Sequence, residues 1–171
     1  MMQEHGELNG STVNQTPVAP VSGRPGRRAW LSQPELRARL GGRRLLVVSR
    51  DVESAGRIFV ALGHLGCKVR IARLASQLPS ILAETKAEIC VIDADDADGE
   101  APALFRDLHG PGLCGDALFV ALLANESVGR KRRLRQMGFH GVLSKPVDSN
   151  VFPQELVQAL ALDLARTPPA R

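Results

Sequence analysis

A short run, Ile89-Cys90-Val91-Ile92, carries no polar residue and stops at Asp93. A continuous apolar stretch of this length fits a strand buried on both faces, as in a parallel sheet. In open α/β sheets, chemistry gathers just past the carboxyl ends of such strands. Asp93 stands at that point, at the head of an acidic cluster that continues through Asp95, Asp96 and Asp98. The rest of the chain reads as the frame that places it.

Similar runs recur on both sides. Leu45–Val48 and Leu118–Leu123 are continuously apolar, and Gly141–Leu143 is a shorter version. Cys67–Ala72 alternates instead, with Cys67, Val69 and Ile71 set against Lys68 and Arg70, which suits a half-exposed edge strand. Between the runs, apolar residues return at helical spacing. Ile58, Leu62 and Leu65 share a face of a helix over Ser54–Leu65; Leu78, Ile81 and Leu82 do so over Ala75–Thr85, with Pro79 near its start. Further helices are expected over Ala101–Leu108, Val128–Met137 and Leu156–Leu164, the last starting near Ser149 or Asn150. His109–Gly115 is a Gly/Pro loop. Five strand–helix repeats imply parallel pairing with right-handed crossovers. The expected fold is therefore an α/β, flavodoxin-like three-layer sandwich, its five-stranded parallel sheet in the order 2-1-3-4-5.

This domain is expected to span residues 43–165 of the 171. Residues 1–30 are polar and Pro/Gly-rich, too poor in large apolar side chains to offset the entropy of ordering, and are expected to be a disordered tail. Residues 31–42 form a short linker helix: Ser32 and Glu35 make a capping box, Leu36 and Leu40 share a face, and Gly41-Gly42 end it. Such a helix either docks on the domain or leads in from another upstream. Residues 166–171 are a frayed tail. No internal repeat is visible.

The composition excludes several classes. At 44% hydrophobic residues a packed core is expected, yet no apolar run is long enough to span a bilayer. The amino terminus lacks the pattern of a secretory signal, so a cytoplasmic location is expected. The three cysteines, Cys67, Cys90 and Cys114, contain no C-x-x-C pair and suit buried thiols in a reducing compartment. Cys114, in a Gly/Pro loop without a flanking base, is read as structural. No G-x-G-x-x-G follows Val48, which disfavours a dinucleotide or P-loop enzyme. His64, His109 and His140 show no ligand spacing. Asp95, Asp96 and Asp98 lack the glycine and distal glutamate of a calcium loop and are read as a solvated acidic loop.

Four segments in order, L-L-V-V-S-R-D from Leu45, V-I-D ending at Asp93, F-V-A-L-L-A-N from Phe119 and G-V-L-S-K-P-V from Gly141, together resemble the CheY-like receiver domain of response regulators and hybrid histidine kinases. The resemblance covers Arg44 to about Leu162. The entry G-R-R-L-L-V-V behind a short leucine helix resembles receivers attached to a kinase core. The resemblance implies that Asp93 is the phosphoacceptor and that Lys145 pairs with it or with the phosphoryl oxygens. It also implies a cis peptide bond before Pro146. The carboxylate would act as nucleophile and the ammonium would neutralise developing charge.

The departures from that family are equally specific. Its two magnesium-binding acids after the first strand are replaced by Ser49 and Arg50, and Asp51 comes one residue late. Magnesium requires hard oxygen ligands, so Asp93 alone would hold it poorly; Arg50 would repel it and could pair with Asp93 directly. Leu123 stands where the family has a phosphoryl-binding hydroxyl, although Ala124 after it is the usual small residue, and Val142 replaces the aromatic switch residue. The loop from Asp93 to Asp98-Gly99 is shortened and lacks a Met-Pro pair. These changes imply a degenerate receiver, or pseudo-receiver, in which magnesium-dependent phosphorylation of Asp93 is weak or absent and Arg50 and Lys145 flank the carboxylate. No cofactor is expected, magnesium entering only if Asp93 is phosphorylated, and no enzymatic turnover is expected.

Five basic residues, Arg130, Lys131, Arg132, Arg133 and Arg135, crowd the helix over 129–137, leaving Val128, Leu134 and Met137 for the core. In receivers this region belongs to the output face. The expected function is a two-component or phosphorelay signalling module that binds a histidine kinase, a phosphotransfer protein or an effector through this surface. Two alternatives remain open: a working phosphorelay receiver that accepts phosphate at Asp93, and a nucleic-acid-binding module using the basic helix. The near absence of aromatic residues, with no Tyr and a lone Trp30, disfavours base stacking in the latter.

Overall fold

The computed structural model describes residues 30–95, 100–109, 114, 116–125 and 127–160. The tail before residue 30, the acidic residues Asp96 and Asp98, most of the Gly/Pro loop and the segment beyond Leu160 lie outside the described residues.

Five strands form one parallel sheet in the order β2-β1-β3-β4-β5. They are β1 (Arg44–Val48), β2 (Lys68–Ala72), β3 (Ile89–Asp93), β4 (Leu118–Leu123) and β5 (Gly141–Ser144). The helices are α1 (Gln33–Leu40), α2 (Val52–Gly63), α3 (Leu78–Glu84, entered through a 3-10 turn at Ala75–Gln77), α4 (Glu100–His109), α5 (Val128–Met137) and α6 (Phe152–Ala159). The central strands β1, β3 and β4 carry the unbroken apolar runs because both their faces are covered. The alternating β2 lies at an edge. Among the described residues, no helix is long and apolar enough to cross a membrane.

The period of two along each strand divides the core into two halves. Leu45, Val47, Ile89, Val91, Val120 and Leu122 face α2 and α6, where Ile58, Leu62, Leu156 and Leu160 meet them. Leu46, Val48, Cys90, Ile92, Phe119 and Leu123 face the other way, toward Phe105, Leu108 and Leu134 of α4 and α5. Phe105 packs edge-on against Phe119 with centroids 4.9 Å apart. Cys114 is buried in this half and its thiol is hydrogen-bonded with that of Cys90, a contact that, together with burial, pushes the Cys90 thiol well up.

The amino-terminal helix α1 is docked rather than detached. Its capping box forms as the spacing predicts, Leu36 and Leu40 are buried in the α2–α6 half, and Leu31 N donates to the buried Gln154 Oε1 at 2.9 Å. Arg37 adds a hydrogen bond to the His64 carbonyl at 3.0 Å.

Two expectations need correction. The α2 helix begins at Val52, not Ser54, because Asp51 caps it. Val128 is not a core residue: it is 85% exposed. At 3.6 residues per turn, nine residues separate Val128 from Met137 by roughly half a turn, so the two occupy opposite faces of α5. Leu134 is buried and Met137 packs partly against the same half of the core.

Candidate functional site

Ser49, Asp93 and Lys145 meet at the carboxyl edge of the sheet. The register dictates it. Val48 is aligned with Ile92, so Ser49, the next residue, stands beside Asp93. Leu123 is aligned with Ser144, which brings Lys145 to the same edge. All three share the parity of the α2–α6 side of their strands. The Lys145–Pro146 peptide bond is cis.

Asp93 Oδ2 accepts from Lys145 Nζ at 2.6 Å and from Ser49 Oγ at 2.8 Å. Its Oδ1 accepts from the Asp95 amide at 3.3 Å. The Lys145 and Asp93 side chains are only 13% and 14% exposed. Desolvation pulls the Lys145 ammonium toward neutrality, but hydrogen bonds and charge from Asp93 and Asp95 outweigh it and hold its pKa above the ordinary lysine value.

The positions that depart from the family pattern have defined places here. Ser49 is buried and lends Asp93 a hydroxyl donor. Arg50 is exposed just past β1, and Lys145 and Ser49 are bonded to the Asp93 carboxylate. Asp51 turns away into the α2 cap, where its carboxylate accepts from Glu53 N at 3.0 Å, Ser54 N at 3.3 Å and Ser54 Oγ at 2.6 Å. The Ser54 hydroxyl foremost holds the Asp51 carboxyl below its usual range. Leu123 is fully buried in the core and Val142 is half-buried against it. Among the described residues, no cluster of three or more metal-ligating side chains occurs.

Asp95 corrects the expectation of a solvated loop acid. Its oxygens accept from the Ala124 amide at 2.7 and 2.8 Å, and Oδ2 lies 3.0 Å from Lys145 Nζ. Arg130 joins it: Nη2 donates to the Ala94 carbonyl at 2.8 Å and Nη1 lies 3.9 Å from Asp95 Oδ1. Arg130 thus turns back to the sheet edge and away from the surface it was grouped with. Neither residue stood out in the sequence, where Asp95 is one acid among several and Arg130 one cation among five.

The remaining cations of α5 differ in exposure. Arg132, Arg133 and Arg135 are exposed and Lys131 is half-buried. Val128, Lys131, Arg132, Arg135 and Gln136 line a shallow hollow of about 550 Å³. Lys131 and Arg135 also border a second, of about 360 Å³, where α5 meets β5 and the α6 residues Glu155 and Gln158.

No protein-family model and no curated protein sequence matches the chain. Solved structures do. The chemotaxis protein CheY4 of Vibrio cholerae superposes with a TM-score of 0.62 at 14% identity, covering 70% of this chain and 100% of its own. A response regulator from Thermotoga maritima gives 0.63 at 16%, covering 70% and 98%. An orphan response regulator of H. pylori gives 0.58 at 12%, with the same coverage. The chain has the fold of the CheY-like receiver domains of response regulators.

Proposed function

We propose that the chain is a receiver-like module of a two-component or phosphorelay system that acts through protein–protein contact, with magnesium-dependent phosphorylation of Asp93 weak or absent and no turnover of its own. One observation carries this reading: the Asp93 carboxylate is satisfied internally by Lys145 and Ser49, while the acid nearest the metal position, Asp51, is committed to the α2 cap. A divalent ion would find the Asp93 and Asp95 carboxylates already bonded to Lys145, and a serine where the family has an acid. That set does not suit magnesium, which requires several hard oxygens in octahedral array.

The partner, whether a histidine kinase, a phosphotransfer protein or an effector, would meet the exposed face of α5 with an acidic surface. Arg132, Arg133 and Arg135 supply the charge, and Val128 adds an apolar contact at the helix start. Complementary charge of this kind steers encounter and suppresses wrong partners.

Titration with magnesium, followed through the amide signals of Ser49 and Asp93, tests the reading. No saturation is expected up to about 10 mM, well beyond what a competent hard-oxygen site requires. Saturation in the millimolar range that disappears in Asp93→Asn would overturn it and favour the working phosphorelay receiver. Binding to duplex DNA with a steep salt slope would favour the nucleic-acid alternative.

A further inference from the structure

Lys145 Nζ and the Ala124 amide are two donors at the carboxyl edge of the sheet, beside Asp93. Lys145 is already bonded to Asp93, and Ala124 follows the last residue of β4, the strand paired beside β3. Both donors are taken in this chain by a single carboxylate. Asp95 bridges them, with both its oxygens on Ala124 and Oδ2 on Lys145. Arg130, in the first turn of α5, closes the arrangement through Ala94 and Asp95. Among the described residues, Lys145 and Arg130 are thus paired with Asp93 and Asp95.

We propose that Asp95 is a built-in anionic ligand for the Lys145 and Ala124 donors, and that through Arg130 it fastens the connection between β4 and α5, and hence the basic face of α5, in one position. The inference rests on reading the site as a receiver-like acceptor pocket, and it extends that reading from the absence of a switch to the presence of a lock. A carboxylate suits the task because it has two acceptor oxygens, carries a full charge and needs no metal. Ser127 supports the same turn, capping α5 by accepting from Arg130 N at 3.1 Å.

Amide hydrogen exchange in the full chain tests this on wild type, Asp95→Ala, Asp95→Asn and Arg130→Gln. Exchange at Ala124 should accelerate about tenfold or more in Asp95→Ala, because a bond to a charged acceptor is lost. It should accelerate less in Asp95→Asn, which keeps one acceptor oxygen. Arg130→Gln should leave Ala124 protected and accelerate the amides of Arg130 and Lys131. Amides of Val91 and Val120 in the sheet report that the fold is intact, and the isosteric Asp95→Asn keeps the comparison decisive if Asp95→Ala disturbs them. Ala124 exchange within twofold of wild type in both Asp95 variants would overturn the inference while leaving the proposed function standing. Magnesium-dependent phosphorylation of Asp93 would overturn the function by a separate readout.

Discussion

The carboxyl edge of the sheet and the outer face of α5 are both densely charged, yet they are organised in opposite ways. At the sheet edge the charges of the site are paired within the molecule: Lys145 lies between Asp93 and Asp95, and Arg130 turns in to Asp95 and Ala94. On the outer face of α5, Arg132, Arg133 and Arg135 point into solvent. A buried charge is costly unless it is paired, whereas an exposed one costs little and remains available to a partner. The comparison teaches that the residues expected to react are internally spent, and that the available charge lies on a neighbouring helix tied to them by Arg130.

The largest effect is expected from Lys145→Met, which leaves two carboxylates facing each other at the half-closed edge. Removing one partner of such a buried pair costs roughly 3 kcal/mol, read as a fall in the urea midpoint. A loss under about 1 kcal/mol would mean that solvent already screens the cluster. The Lys145 contribution has a defined pH signature. Its pKa is raised in the folded chain, so the contribution is complete below the ordinary lysine value and disappears as pH rises through the folded value. The difference between wild type and Lys145→Met should therefore shrink at alkaline pH.

Gly138→Ala strikes the other region from beneath. Gly138 ends α5 at φ 110°, and an added Cβ would come within 2.8 Å of Phe105 Cζ. Strain and overpacking together should cost about 2 kcal/mol, measured by thermal unfolding. Asp51→Ala should cost about 1 kcal/mol as a lost helix cap. Because the Asp51 pKa is lowered, that contribution is full above the ordinary carboxylate range and is lost as pH falls through the folded value. The smallest change in stability belongs to Arg132→Glu with Arg135→Glu, expected within about 0.5 kcal/mol of wild type. The same double variant should abolish capture of an acidic partner, and unchanged capture would divorce the basic face from function.

The legibility of the molecule follows the same division. Strands buried on both faces announce themselves as unbroken apolar runs, so Leu118–Leu123 is read to the residue and the sheet order follows from the alternating edge strand. Asp93 is legible because it closes such a run, and Lys145 because the Lys145-Pro146 pair carries part of the receiver resemblance. Asp95 is not legible, since its partners Ala124 and Lys145 are remote in sequence and its neighbours are equally acidic. Arg130 is hidden for the same reason: composition places five cations on one helix, but only the fold decides which turns inward. Val128 is misjudged because an apolar residue at a helix start is assigned to the core before the helical phase is checked against Leu134 and Met137. Ser49 is seen as a missing acid, whereas its hydroxyl becomes a partner of Asp93.

The most direct measurement is incubation of the full chain with magnesium and a small phosphodonor, followed by phosphate-affinity electrophoresis, with Asp93→Asn as control and circular dichroism to verify the fold. The account predicts a single unshifted band for both chains. A shifted band in wild type that vanishes in Asp93→Asn would contradict it and restore Asp93 as a working phosphoacceptor.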